Sequence, residues 1–264
     1  MKDQEKLIES VNELQSYPKY TPTSVIDHKK AKKLEPHINF KGNENIIFSK
    51  ADGAIDPKDA ISKMIDVIKK NGGSVLYPCK FERIIESNDS FSKVKTSMGI
   101  LKSENVIFCN GVDVDNSFNV NFLKKPRPGV IIKTKPQKNL INSVVYGPKI
   151  HAHQQSNGQI IIGEQITAPI KKNTKDHIKR INKHFKSMVK GETDLNPSEV
   201  LIGWRPIPKD DLPIIGKFKN KSVYIAVMHS GISLAAIVGN LVTQEIVDEV
   251  DSLLLKDFRP SRFF

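Results

Sequence analysis

The residues best placed to do chemistry lie where an apolar strand runs into a turn and a long helix. The strand predicted at Tyr224–Met228 leads into His229, Ser230 and Gly231, and a helix is predicted from about Ile232 to Val250. Backbone N–H groups at the start of a helix have no partner within it, and the helix dipole adds partial positive charge there. Such a turn suits a negative charge on a ligand. Many strand–glycine–helix turns bind nothing, so the pattern alone leaves the ligand open.

Histidines form a second group with chemical potential. His151 and His153 share one face of the strand predicted at Ile150–Gln154, because side chains alternate across a strand. They could line a pocket or face solvent, and the sequence leaves both readings open. His229 likewise fits either a packed, hydrogen-bonded residue or a proton carrier.

Composition argues against several other classes of function. The chain has 41 basic and 29 acidic residues and a net charge of +12, but its lysines are spread along the sequence without interleaved aromatic residues. This distribution favours a solvated surface over a nucleic-acid site. Cys79 and Cys109 form no CxxC or His/Cys cluster, so we expect buried free thiols and no metal site. The polar N-terminus and the lack of an apolar run of about 18 residues predict a cytoplasmic chain without a membrane span.

The apolar patterns predict a mixed α/β chain whose middle is antiparallel β. Helices are predicted at 3–15, 28–34, 57–70, 174–188 and 232–250, with Asp27 and Asp56 as N-caps. Strands are predicted at 46–48, 74–77, 80–86, 91–97, 105–109, 129–134, 143–146, 150–154, 159–166, 199–204 and 224–228. The continuous apolar run at 105–109 is typical of a strand buried on both faces.

Four pieces near the C-terminus, in order, resemble the signature of the D-amino-acid oxidase/glycine oxidase superfamily of flavoproteins. They are Gly203–Pro206, Asp211–Gly216, His229–Leu234 and Phe258–Phe263. Upstream, Gly53–Pro57 and Val106–Gly111 resemble parts of the family's FAD domain, and Pro128–Gly129, Asn157–Gly158 and Ile162–Glu164 resemble hairpins of its substrate domain. The resemblance covers nearly the whole chain and implies hydride transfer from an amine or amino acid to a flavin.

The resemblance also implies residue roles. Arg205 matches the arginine that pairs with the substrate carboxylate, a task that suits a bidentate and permanently charged guanidinium. The alternative is a structural arginine paired with Asp210 or Asp211. His151 stands where related enzymes have an active-site tyrosine, so the identity of the substrate stays open.

The cofactor implied by the resemblance is non-covalent FAD, since no cysteine lies near residues 204–216 for a covalent link. The turn that follows the strand at 224–228 matches the one whose amides meet the pyrimidine ring of the flavin. The implied cofactor-binding residues are Gly111, His229, Ser230, Gly231, Ile232 and Ser233.

One expected part of such a flavoprotein is missing from the sequence. Family members begin with a strand, a GxGxxG turn and a helix that hold the pyrophosphate, and these 264 residues contain no GxGxxG. We therefore expect an incomplete, Rossmann-like FAD module (51–122 and 204–264) interleaved with an antiparallel, β-rich substrate module (1–50 and 123–203). The hypothesis is an oxidoreductase that works only with a separately supplied N-terminal FAD-binding polypeptide. The alternative is a non-catalytic remnant of a split or decayed gene.

Overall fold

Helices and strands are mixed along the chain in a computed structural model, which describes residues 8–9, 12, 23–164, 173–191 and 194–264. In chain order the elements are β1 (Thr23–Ile26), α1 (His28–Leu34), β2 (Ile46–Ser49), α2 (Pro57–Lys70), β3 (Phe81–Ser87), β4 (Ser92–Thr96), β5 (Gly99–Ser103), β6 (Val106–Phe108), α3 (Val114–Phe118), β7 (Arg127–Thr134), β8 (Val145–Tyr146), β9 (Ile150–Gln154), β10 (Ile160–Glu164), α4 (Thr174–Met188), β11 (Pro197–Arg205), β12 (Ile214–Phe218), β13 (Asn220–Val227) and α5 (Gly231–Val247). The predicted mixed α/β fold with antiparallel sheets is confirmed. The helix predicted at 3–15 lies outside the described residues, apart from positions 8, 9 and 12.

Side-chain caps explain why two of the helices begin where the sequence predicted. The Asp27 carboxylate accepts a hydrogen bond from the Lys30 N–H at 2.7 Å. The Asp56 carboxylate accepts one from the Lys58 N–H at 2.8 Å, and Pro57 occupies the first position of α2. An N-terminal proline loses no helical hydrogen bond, and each cap satisfies an amide that the helix cannot.

The chain divides into two compact units, each built from two separate stretches of sequence. Unit 1 comprises Met1–Ile55 and Gly129–Gly203, and unit 2 comprises Asp56–Pro128 and Trp204–Phe264. In the described part of the chain, no helix has both the length and the apolar character needed to cross a membrane. The cytoplasmic location stays a prediction.

Unit 1 contains a five-stranded sheet in the order β11-β7-β10-β9-β8. Strands β7, β10, β9 and β8 pair antiparallel in turn. One face of the sheet is packed against α4, whose Ile181 and Phe185 are fully buried. The strands contribute alternate residues to this core: Val130, Ile132, Ile150, Ala152, Ile160 and Ile162. The intervening residues of β9, His151 and His153, therefore lie on the other face, as predicted.

Unit 2 contains a three-stranded sheet in the order β12-β13-β6, in which β6 and β13 are parallel and β12 is antiparallel to β13. On one face, Tyr224 of β13 packs in a cluster with Val238 and Leu241 of α5. On the other face lies an aromatic cluster in which successive rings meet edge to face: Phe81, Phe108, Phe118, Phe218 and Phe122. This double coverage fixes β13 and the start of α5, where the candidate residues lie. A second sheet of unit 2 has the antiparallel order β3-β4-β5.

Helix α2 of unit 2 is well capped but has no buried residue. Its apolar stripe is about half exposed, with 46% of Ile61, 51% of Met64 and 46% of Ile68 open to solvent. A helix of about 14 residues draws most of its stability from packing an apolar face. Within the described residues, the apolar face of α2 is uncovered.

Several local predictions are wrong. Residues 74–77 form no strand, and Val75, Leu76 and Tyr77 are exposed, because no neighbouring strand pairs with them in the described part of the chain. Ile107 of β6 is 45% exposed, so β6 is not buried on both faces. Cys109 is exposed and Cys79 only partly buried, although both are free as expected.

Candidate functional site

A strand–turn–helix in unit 2 carries most of the predicted cofactor-binding residues. Strand β13 ends at Val227, and α5 begins at Gly231 after Ser230, whose side chain does not cap the helix. Within the described residues, the N–H groups of Gly231, Ile232 and Ser233 have no hydrogen-bond acceptor, and all three residues are exposed. The turn therefore presents three amide donors and the positive end of a 17-residue helix.

Gly111 lies at the same edge of the sheet as this turn. It follows β6 after Cys109 and Asn110, and the carboxyl ends of the parallel strands β6 and β13 meet at one edge. Gly111 has a φ of +57°, a conformation that L side chains rarely adopt, and a Cβ there would lie 3.8 Å from Pro206 Cγ. Ligands of open α/β sheets bind at the carboxyl ends of the strands. Gly111 and residues 229–233, predicted separately from the sequence, are thus brought together.

Arg205 ends β11 and belongs to unit 2. Its guanidinium Nη1 donates a hydrogen bond to the Pro128 carbonyl at 3.0 Å, and the residue is half-buried. The two aspartates considered as structural partners bond to other basic residues. Asp210 accepts from Arg262 Nε at 2.6 Å, and Asp211 accepts from Lys124 Nζ at 2.6 Å. The Pro128 carbonyl thus holds one terminal nitrogen of the Arg205 guanidinium.

His229 is electrostatically linked to Arg205. Partial desolvation lowers the pKa of His229, and the positive charge of Arg205 lowers it further, whereas Asp211 acts in the opposite direction. Its Nδ1 lies 3.1 Å from Ser230 Oγ. A lowered pKa keeps the imidazole neutral at neutral pH, so one ring nitrogen is available as a proton acceptor.

His151 lies in unit 1, on the sheet face opposite the packed core. Its ring stacks on Tyr146 of the neighbouring strand, with centroids 5.2 Å apart and planes 23° apart. Tyr146 is 73% exposed, whereas His151 is partly buried. The sequence predicted a role for His151 but none for Tyr146, because the register between strands cannot be read from one sequence. The only available signal was that Tyr146 is an aromatic residue in a predicted strand.

Comparison with known families identifies the family of this chain. A model of the family "DAO: FAD dependent oxidoreductase" matches residues 2–245, which is most of the chain. The chain therefore belongs to the FAD-dependent oxidoreductases of this family, as the resemblance predicted. Among curated proteins, it is 24% identical over 190 residues to the bifunctional protein ThiO/ThiG of Trichormus variabilis, covering 69% of this chain and 29% of that protein.

Solved structures support the same fold. The L-proline dehydrogenase from P. horikoshii matches with a TM-score of 0.85 at 20% identity, covering 99% of this chain and 74% of that one. The glycine oxidase from Geobacillus kaustophilus matches with a TM-score of 0.82 at 15% identity, covering 98% and 72%. The chain spans about a third of the length of the curated relatives it matches.

Proposed function

We propose that this chain takes part in the FAD-dependent oxidation of an amine or amino acid. The observation that carries the proposal is the edge of unit 2 where Gly111 and the free amides of residues 231–233 follow two parallel strands. Two proteins of similar fold, an L-proline dehydrogenase and a glycine oxidase, are named for their action on amino acids. FAD, when bound, supplies the hydride acceptor.

The chain's own residues fit the ring end of FAD. Three N–H donors and a helix N-terminus would stabilise negative charge on the pyrimidine side of the flavin. Gly111 adds no side chain at this edge of the sheet. Arg205 would bind a substrate carboxylate, and the neutral His229 beside it would hold or accept a proton. For His151 we propose contact with the substrate, in place of the tyrosine of related enzymes.

The pyrophosphate end of FAD has no matching residues, because these residues contain no GxGxxG turn. We propose that a separate strand–GxGxxG–helix polypeptide supplies it. Two features support this proposal. Strand β6 pairs with β13 on one side and has an open edge on the other within the described residues. The uncovered apolar stripe of α2, defined by Ile61, Met64 and Ile68, would suit a covering element.

Co-expression with the N-terminal unit of a relative tests the proposal. If the proposal holds, the two polypeptides copurify with bound FAD, and a substrate amino acid bleaches the flavin spectrum under anaerobic conditions. Met64→Glu should weaken copurification, whereas Lys63→Glu, at an exposed position of the same helix, should not. Failure to copurify with either partner tagged would favour the non-catalytic remnant.

Arg205 offers a test of the substrate class in the reconstituted enzyme. Arg205→Ala should lower kcat/KM for an amino acid relative to its decarboxylated amine by roughly 30- to 900-fold, since a charge-assisted bidentate pair contributes about 2–4 kcal/mol. Arg205→Lys should recover only part of this, because an ammonium cannot reproduce the fork. Arg262→Ala is the matched control, since Arg262 braces Asp210 and its loss should affect both substrates equally. An unchanged ratio for Arg205→Ala would refute the carboxylate assignment.

A further inference from the structure

Four residues form a row across the open face of the unit 1 sheet, the face opposite α4. The strand register pairs Gly163 with Ile131 on one side and with His151 on the other, and His151 in turn with Tyr146. Residues directly opposite each other on antiparallel strands have Cβ atoms about 5 Å apart. The imidazole of His151 therefore has two immediate cross-strand neighbours, Gly163 and Tyr146.

Gly163 provides the space in which the His151 ring lies. A Cβ built on Gly163 would lie 2.3 Å from His151 Nε2 and 2.4 Å from Cε1, closer than any real van der Waals contact. The backbone of Gly163 is not in the left-handed region, so the conformation does not require glycine there. Glycine in a strand often marks the close approach of another group. In this sheet the approaching group is the imidazole itself.

Tyr146 bounds the ring on its other side. The stacked phenol and imidazole, with planes 23° apart, limit rotation of His151 away from the glycine. Stacked aromatic pairs stabilise each other beyond the area they bury, which favours one rotamer of His151. The His151 ring thus occupies the space left by the missing side chain of Gly163 on β10 and stacks against Tyr146 on β8.

We infer that Gly163 and Tyr146 are positioning residues that fix the His151 imidazole for substrate contact. The inference rests on the role proposed above for His151. Neither residue needs to touch the substrate. Each acts by restricting the orientation of the His151 ring.

The first test measures ring position in the chain alone. In histidine-labelled protein, Gly163→Ala should shift the ring resonances of His151, assigned with His151→Gln. Gly203→Ala is the matched control, because Gly203 lies in β11 of the same sheet and a Cβ there meets nothing within 4 Å. Tyr146→Leu should also shift the His151 resonances. Tyr146→Phe should leave them close to their wild-type positions, because it keeps the stacked ring. Unshifted His151 resonances in Gly163→Ala would overturn the inference.

The second test uses the reconstituted holoenzyme. Gly163→Ala should lower kcat/KM about as much as His151→Ala does, and the double variant should lose no more than His151→Ala alone, since contacting residues are non-additive. Fully additive losses would overturn the inference while leaving the proposed function intact. If His151→Ala turns over like wild type, the role of His151 in the proposed function is wrong, and the inference falls with it. Thermal unfolding of each variant separates these results from simple misfolding.

Discussion

A buried carboxylate in unit 2 allows a sharp prediction about the stability of the candidate site. The Glu245 side chain of α5 is fully buried and accepts hydrogen bonds from the Tyr224 hydroxyl of β13 and from the Arg259 guanidinium. It also accepts one from the Ser252 N–H at 2.6 Å. One side chain therefore ties together β13, α5 and the C-terminal segment. The turn at residues 229–233 connects the first two of these elements.

Replacing Glu245 by Gln should lower the free energy of unfolding by about 3–5 kcal/mol, the usual cost of breaking a buried ion pair on one side only. Gln keeps the volume and an acceptor for Tyr224, but it removes the carboxylate charge that bonds to Arg259, whose side chain is 21% exposed. Asp251→Asn is the control, because Asp251 is 71% exposed in its pair with Lys217 and should contribute no more than about 1 kcal/mol. Urea unfolding followed by circular dichroism measures both.

The difference in unfolding free energy between wild type and Glu245→Gln should also depend on pH, which provides a second check. Burial alone would raise the pKa of Glu245, but hydrogen bonds from Arg259 and Tyr224 outweigh burial and lower the pKa. A carboxyl with a lowered pKa in the folded state stabilises the fold above its unfolded pKa, about 4.3, and this contribution is lost as the pH falls further. The gap between wild type and Glu245→Gln should therefore be largest near neutral pH and shrink below about pH 4. A gap under 1 kcal/mol, or one independent of pH, would refute the reasoning.

Three further predictions concern the isolated chain. It should bind the dye ANS through the α2 stripe, and Met64→Glu with Ile68→Lys should reduce the dye fluorescence; unchanged fluorescence would point to another surface. It should purify without stoichiometric FAD, because its sequence contains no GxGxxG turn to hold the pyrophosphate, and a yellow preparation with about one flavin per chain would contradict this. Glu164→Gln should destabilise unit 1 by about 3–5 kcal/mol in urea unfolding, because the buried Glu164 bonds to Arg180. Asp194→Asn, in an exposed pair with Lys186, is the control and should leave the unfolding free energy almost unchanged.

Local signals in the sequence predicted the helices well and the strand partners poorly. Asp56 and Pro57 fix the start of α2, and α4 matches its predicted bounds, because caps and apolar spacing act within a few residues. Strands depend on neighbours that are distant in sequence. The strand β12 was missed, and the apolar run at 74–77 was mistaken for a strand although no partner pairs with it in the described part of the chain.

The candidate site shows the same limit. The family signature predicted Gly111 and Ser230–Ser233 because order and spacing are visible in one chain. Their meeting at one sheet edge follows from the parallel pairing of β6 with β13. The row through Gly163, His151 and Tyr146 could not be predicted from the sequence, because a shift of one residue in register would have placed different side chains opposite each other.

The exposed stripe of α2 links stability to cofactor binding. Covering the remaining half of Ile61, Met64 and Ile68 would contribute about 1 kcal/mol for each side chain, or about 3 kcal/mol together. A polypeptide that brings the phosphate-binding turn to the edge of β6 would, in the proposed function, also cover this stripe. FAD binding and the burial of α2 would then be coupled, because anything that binds only the folded, covered state raises its stability. The coupling predicts that FAD strengthens the association of the two polypeptides by the same factor by which association strengthens the binding of FAD.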